Sequence, residues 1–78
     1  MDKTTLYDVS LIKKESIIAI LREVADALEE RGYNPLNQIV GYLISGDPGY
    51  ISSYKDARNK MVSLDRSEVV MLLLMEFL

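Results

Sequence analysis

Apolar residues recur along this chain at steps of three and four, the spacing of helices that bury one face. The first such stripe occupies residues 11–31 and ends before Gly32, a residue suited to the left-handed end of a helix. Its apolar positions are Ile17, Ile20, Leu21, Val24, Ala25, Ala27 and Leu28. We therefore predict a long first helix, from Leu11 to about Arg31, with one broad apolar face.

A second, shorter helix is predicted by its capping residues as well as by periodicity. Asn34 can cap the free N–H groups of the first turn, and Pro35 fits the first helical position, which needs no N–H donor. The stripe continues through Leu36, Ile39, Val40, Leu43 and Ile44. Gly46 and the turn 47–49 end the helix. Gly41 inside it costs about 1 kcal/mol relative to Ala, so we expect another helix to approach closely there.

Two more helices complete the predicted fold. The third is expected from about Ser52 to Val62, with Ser52 or Ser53 as its cap. Its shared apolar face consists of Tyr50, Tyr54, Ala57 and Met61. The fourth begins at a capping box formed by Asp65 and Glu68, and it runs to Leu78.

The fourth helix is apolar on nearly every side, with only Glu68 and Glu76 as polar points in its main body. A chain of 78 residues cannot easily enclose such a helix, so a second copy is expected to cover it. We predict a homodimer whose interface includes Val70, Met71, Leu74, Met75 and Leu78. The predicted fold class is all-α: a compact bundle of about four short helices, homodimeric, with one domain over residues 11–78 and a flexible N-terminal arm over residues 1–10.

Composition excludes several classes of function. The chain has no cysteine and no histidine, which removes disulfides, thiolate nucleophiles and imidazole bases. A net charge of −3 and a pI near 4.8 argue against a nucleic-acid or anionic-membrane surface. The N-terminus has no signal-peptide pattern, and the longest apolar run, Val69–Met75, is far short of the roughly 20 residues of a membrane span. We expect a cytoplasmic protein with no transmembrane segment.

The candidate chemistry is sparse. Without histidine and cysteine, catalysis would depend on residues beside the turn after the second helix, namely Asp47, Lys55, Asp56 and Arg58. Turn formation alone explains Asp47-Pro48-Gly49, and the acidic residues lack the spacing of a hard-ion loop. We predict no enzymatic activity, no metal and no cofactor.

A helix-turn-helix reader of DNA is the alternative in a different class. Two short helices flank the turn 46–49, and Arg58, Asn59 and Lys60 form a short basic patch. The patch lies in an acidic chain and the last helix adds only Arg66, so a solvated helix face is the favoured interpretation. Nucleic-acid binding therefore ranks second, as a small helical dimer.

The continuous segment from Gly32 to Pro48, GYNPLNQIVGYLISGDP, resembles the signature of the IreB family of small regulatory phosphoproteins from Gram-positive bacteria. Further matches are Tyr50-Ile51 after the turn and Ala57-Arg58-Asn59 in the third helix, so the resemblance extends from Lys13 to about Val70. It implies a non-enzymatic, cytoplasmic helical homodimer. The resemblance also implies phosphorylation on a threonine near the N-terminus by a membrane-anchored Ser/Thr kinase and dephosphorylation by a partner phosphatase. The implied role is that of a negative regulator of the cell-wall stress response and antibiotic resistance.

The resemblance also implies sites. The phosphorylated threonine of the family aligns best with Thr5, which precedes Leu6-Tyr7, and Thr4 is the second choice. The signature residues expected to bind a downstream protein, which the resemblance does not identify, are Asn37, Gln38, Tyr42, Asp47, Tyr50, Arg58 and Asn59. For Asn37 and Gln38, an alternative is that their amides satisfy backbone groups within the fold.

The last helix departs from the family, whose members look more amphipathic and charged there. This difference predicts a larger interface or a higher oligomer.

A phosphate on Thr5 would add about −1.5 to −2 charges, which leaves two mechanisms open. The phosphate could dock the arm within the molecule, for example near Arg58 or Lys60, or it could repel an acidic partner.

Overall fold

A computed structural model describes residues 11–78, which form four α-helices and two short 3-10 turns. Helix α1 spans Leu11–Glu30, α2 Pro35–Ser45, α3 Ala57–Val62 and α4 Arg66–Phe77. The 3-10 turns are Pro48–Tyr50 and Tyr54–Asp56. No strand occurs within these residues, so the predicted all-α bundle of four helices is confirmed. The predicted flexible arm, residues 1–10, lies outside the described residues.

The helix ends follow from local backbone chemistry. Gly32 has a φ of 86°, and its N–H and that of Tyr33 donate to the carbonyls of Glu29 and Leu28 at the end of α1. The Asn34 side chain accepts from the N–H of Asn37 at the start of α2. Gly46, with a φ of 76°, ends α2 and donates to the Tyr42 carbonyl.

The core lies where α1 packs against α2 and α3. Its buried side chains come from all four helices and from the segment between α2 and α3, and the largest of those fully buried are Val24, Leu28, Ile51, Met61, Val69 and Leu72. Helix α4 joins this core through one side only, because Val69 and Leu72 are its only buried residues. The rest of α4 is held away from the interior.

The third helix differs from the sequence-based prediction. An unbroken helix from Ser52 was expected, but α3 begins at Ala57 because Lys55 and Asp56 adopt left-handed φ values of 49° and 62°. Ser53 makes no capping hydrogen bond, whereas the Ser52 hydroxyl accepts from the N–H of Tyr54. The chain turns sharply before α3, and this turn brings Tyr54 and Lys55 to the end of α1.

At two other positions, Glu68 and Gly41, the contact partner differs from the one predicted from the sequence. Asp65 caps α4 by accepting from the N–H of Glu68, but the Glu68 carboxylate pairs with Lys13 of α1, 2.7 Å away. Position 41 is approached closely, as expected, but by the ring of Tyr50 in the following 3-10 turn and not by another helix. In both cases the partner comes from outside the helix that contains the residue.

Candidate interaction site

An apolar groove lies between α2 and α4, and we call it the α2–α4 groove. It has a volume of about 1080 Å³. Its walls are Tyr42, Leu43, Leu64, Asp65, Arg66, Ser67, Val70, Met71, Leu74, Met75 and Leu78. All five residues predicted for the dimer interface therefore lie along one groove, although nothing in the structure shows what fills it.

The groove lies beside the half of α4 that extends past the core. Leu74 and Met75 are about half exposed, and Leu78 is 93% exposed. Such a concentration of exposed apolar side chains on one helix is unusual for a soluble monomer and is typical of a surface that another polypeptide covers. The fold thus leaves this side of α4 uncovered within residues 11–78.

One end of the α2–α4 groove is polar and fixed in place by Arg66. Its Nη1 donates to the Leu43 carbonyl at 3.1 Å, and its guanidinium lies 5.9 Å from the centre of the Tyr42 ring. A Cβ atom added to Gly46 would come within 2.8 Å of the guanidinium carbon, so glycine leaves room for this contact. Arg66 thereby joins the start of α4 to the end of α2.

A second apolar groove lies on the opposite side of α4, and we call it the three-helix groove. Its volume is about 600 Å³. Helices α1, α2 and α4 line it with Ile18, Leu21, Arg22, Ala25, Pro35, Leu36, Ile39, Val40, Leu43, Leu72, Leu73 and Glu76. Sequence reasoning missed this groove, because helical periodicity shows which residues are apolar but not how three helices diverge.

Several signature residues hold the segment between α2 and α3. Gln38 Oε1 accepts from the N–H of Ser52 at 2.9 Å, and Asp47 Oδ1 accepts from the N–H of Gly49 at 2.8 Å. Arg58 Nε donates to the Ile51 carbonyl at 2.9 Å. These contacts give Gln38, Asp47 and Arg58 structural roles within the chain that do not require a partner protein.

The remaining signature residues lie in different parts of the fold. Tyr42 is buried and faces the α2–α4 groove, whereas the Tyr50 ring lies against Gly41 and stays half exposed. Asn59 Nδ2 donates to Asp56 Oδ1 at 2.8 Å. Asn37 is exposed at the start of α2. The structure therefore does not gather all seven signature residues into one site.

A polar cluster at the end of α1 was not predicted from the sequence. Lys55 Nζ lies 2.6 Å from Glu30 Oε2, and the Tyr54 hydroxyl donates to Glu30 Oε1 at 3.2 Å. The hydrogen bond from Lys55 is the largest cause of the lowered pKa of Glu30, and the hydrogen bond from Tyr54 is the second. The hydrogen bond between Lys55 and Glu30 also raises the pKa of Lys55. The guanidinium of Arg31 lies 5.3 Å from the centre of the Tyr54 ring.

The lysines within residues 11–78 all lie beside acidic side chains. Each of the four lysines, at positions 13, 14, 55 and 60, has a glutamate oxygen within 3.7 Å, and the hydrogen bond to Glu68 raises the pKa of Lys13. In the basic patch considered for nucleic acid, Lys60 is 3.5 Å from Glu23. Carboxylates beside the lysines reduce the positive potential that a phosphate backbone would need.

The comparison with known proteins identifies the family. Residues 2–78 match the family described as IreB regulatory phosphoprotein. The chain belongs to this family. The match covers nearly every residue, so the resemblance found in the segment 32–48 is confirmed for the chain as a whole. A regulatory phosphoprotein family implies a role other than catalysis.

Within the described residues, no helix has the length and apolar character needed to cross a membrane. The predicted phosphorylation sites, Thr4 and Thr5, lie outside those residues, and their surroundings are therefore not described.

Proposed function

We propose that this member of the IreB family is a cytoplasmic, non-enzymatic homodimer controlled by phosphorylation on Thr5, with Thr4 as the second site. A Ser/Thr kinase adds the phosphate and a phosphatase removes it. Through contacts with a downstream protein, the dimer acts as a negative regulator of the cell-wall stress response and antibiotic resistance. The observation that carries this proposal is the family match over residues 2–78.

The homodimer is supported by the α2–α4 groove. Val70, Leu74 and Met75 are exposed apolar residues on its α4 wall, and an isologous interface would place the same surface on both sides of a two-fold axis. Burial of apolar area contributes roughly 25 cal/mol per Å², which favours covering this wall over leaving it in water. A second copy supplies the matching surface without any further component.

The surface proposed for the downstream protein is the outer side of α2 and the turn that follows it. Asn37 and the exposed half of the Tyr50 ring are available there, while Gln38 and Asp47 shape the backbone that presents them. Arg58 and Asn59 support the same segment from α3. In this proposal the signature acts as a shaped surface, with some residues touching the partner and others holding the segment in place.

The test of the proposed function is phosphosite mapping. Intact mass and peptide mapping of the protein purified from its native host should give a singly phosphorylated form with the phosphate on Thr5. The cognate kinase should label the purified chain, and Thr5→Ala should remove most of the label while Thr4→Ala removes little. Labelling on neither threonine, under conditions in which the kinase phosphorylates itself, would contradict the proposal.

A further inference from the structure

The three-helix groove presents exposed apolar side chains on two of its walls. On the α2 wall Leu36 is 72% exposed, and Val40, one turn later, is exposed as well. On the α4 wall Leu73 is 50% exposed. Leu74, the next residue, has nearly the same exposure but lines the α2–α4 groove. Covering the Leu74 side with a second copy therefore leaves the Leu73 side open within residues 11–78.

The length and openness of the three-helix groove suit a helix. Its α1 wall runs from Ile18 to Ala25 and its α2 wall from Pro35 to Leu43, so each extends about 10–12 Å at 1.5 Å per residue. That is the length of about two helical turns, over which a bound helix presents apolar side chains at i, i+4 and i+7. Because a wall residue such as Leu36 is so exposed, the groove is too open to enclose a small molecule.

Arg22 supplies the charge that an occupant of this groove must match. It is exposed on the α1 wall, and within residues 11–78 its side chain has no ion pair, hydrogen bond or ring contact. The other lysines and arginines of this range each have one. Glu76, the acidic residue of the groove, is already 3.7 Å from Lys14. A carboxylate on the α1 side of an occupant is therefore complementary to the groove, and a cation there is not.

A second copy of the chain matches this charge poorly. The most apolar helix that a copy could insert is α4, and its carboxylates, Glu68 and Glu76, lie beside Lys13 and Lys14 of α1. Pairing one of them with Arg22 of a neighbour would break an ion pair within the copy. Insertion of α4 would also be a head-to-tail contact, which builds rings or open chains instead of a two-fold dimer. The groove therefore fits a helix from another protein.

We propose that the three-helix groove binds an amphipathic helix of a partner protein, with aliphatic side chains against Val40 and Leu73 and one flanking carboxylate paired with Arg22. Binding removes the apolar side chains of both surfaces from water, and the ion pair fixes which side of the helix faces α1. The groove is separate from the proposed dimer surface, so each subunit of a dimer can hold one such helix. The inference depends neither on phosphorylation nor on the surface proposed for the downstream protein.

Two synthetic helical peptides of about 14 residues, roughly four turns, serve as probes. Both carry leucines at i, i+4 and i+7, and one flank bears a glutamate in the first peptide and a lysine in the second. The glutamate peptide should cause saturable shifts in the amide NMR signals of Leu21, Val40 and Leu73 of the full chain, while that of Val62 in α3 stays in place. It should bind about tenfold more tightly than the lysine peptide. Absence of binding, or equal affinity of the two peptides, would overturn the proposal.

Matched variants test the charged and the apolar contacts separately. Arg22→Glu should reverse the preference, so that the lysine peptide binds about tenfold more tightly than the glutamate peptide. Leu73→Gln should weaken binding of the glutamate peptide about tenfold or more, whereas Leu74→Gln, which alters the other groove, should change it by less than about twofold. Equal effects of the two glutamines would contradict binding in the three-helix groove. Unchanged helical content by circular dichroism separates loss of peptide binding from loss of the fold.

The native occupant is tested by photo-cross-linking in the host. The photoreactive residue p-benzoylphenylalanine is placed in the groove instead of Leu36, and as a control in α3 instead of the exposed Val62. Mass spectrometry should find, at position 36 and not at position 62, a helical segment of another protein with this aliphatic spacing and an acidic flank. A cross-link from position 36 to this chain itself would assign the groove to a second copy and overturn the proposal. The same cross-links at both positions, or none at position 36, would also overturn it.

Discussion

At the scale of single residues, the contact between Gly41 and Tyr50 shows how a glycine can be required inside a helix. A Cβ at position 41 would lie 2.8 Å from Cε1 of the Tyr50 ring, closer than real Cβ contacts. The ring therefore occupies the space of the missing side chain. The residues are nine apart in sequence, and the 3-10 turn Pro48–Tyr50 brings them together.

We expect Gly41→Ala to destabilise the protein by about 1 kcal/mol. Displacing the Tyr50 ring costs roughly 1–3 kcal/mol, and the higher helix propensity of alanine returns about 1 kcal/mol. In a Tyr50→Ala background the same substitution should instead stabilise the protein by about 1 kcal/mol. Urea unfolding of the four proteins in this cycle checks the change of sign, and an equal effect in both backgrounds would contradict the contact.

The pH dependence of stability should reveal the Glu30 cluster. Hydrogen bonds from Lys55 and Tyr54 lower the pKa of Glu30, so folding favours its ionised form. This contribution is fully present above the ordinary pKa of the carboxyl group, and it disappears as the pH falls through the lowered pKa of the folded state. We expect Glu30→Gln to be less stable than the unmodified chain at neutral pH, with the difference closing at acidic pH.

Thermal unfolding across this acidic range measures the difference between the two proteins. Glu29→Gln is the control, because Glu29 is an exposed neighbour and, among the described residues, Lys55 and Tyr54 pair with Glu30 instead. A gap for Glu30→Gln that is independent of pH, or one shared by Glu29→Gln, would argue against the cluster.

At the scale of secondary-structure elements, α2 is tied to the segment before α3 by one side chain. Gln38 Oε1 accepts from the partly buried N–H of Ser52, fourteen residues away. Asn37, the adjacent signature residue, is exposed, and its backbone N–H takes part in the cap of α2. The Gln38 side chain thus holds two segments of the fold together, whereas the neighbouring Asn37 is exposed to solvent.

We expect Gln38→Ala to cost about 1–2 kcal/mol of stability, because it leaves the N–H of Ser52 without its acceptor. Asn37→Ala should change stability by no more than about 0.5 kcal/mol, as is usual for an exposed position. Chemical denaturation compares the two variants. If Asn37→Ala weakens binding of the downstream protein while stability is unchanged, that result separates partner contact from structural support.

At the scale of the whole molecule, α4 connects the core to two uncovered grooves. Val69 and Leu72 anchor it, while Phe77, at 86% exposure, and Leu78 extend beyond the body of the protein. A helix held in this way contributes more when a second chain covers it, so assembly and folding are coupled in the proposed dimer.

We expect the thermal midpoint to rise with protein concentration, because a dimer is favoured by mass action. Leu74→Asp should remove this dependence and give a monomer in sedimentation, since it places a charge on the wall of the α2–α4 groove. Leu73→Asp has the same charge and nearly the same exposure on the other side of α4, and it should leave the dimer intact. A monomeric mass for the unmodified chain at micromolar concentration would contradict the homodimer.

The sequence alone determined the number of helices, the residues that begin α2 and α4, and the residue that ends α2. Asn34, Gly46 and Asp65 act within about one turn of their own positions, so local patterns are enough to predict them. The family was also recognisable from the continuous segment 32–48, and the match over residues 2–78 confirms it. These features depend on short separations along the chain.

Only the tertiary structure decided which residues meet across longer separations. The pairing of Glu30 with Lys55 and of Gln38 with Ser52 joins residues 25 and 14 positions apart. Lys55 and Asp56 interrupt the expected third helix, and α4 divides its apolar surface between two grooves. Periodicity gives the direction of a side chain around its own helix axis, but the angle and spacing between helices decide what that side chain faces.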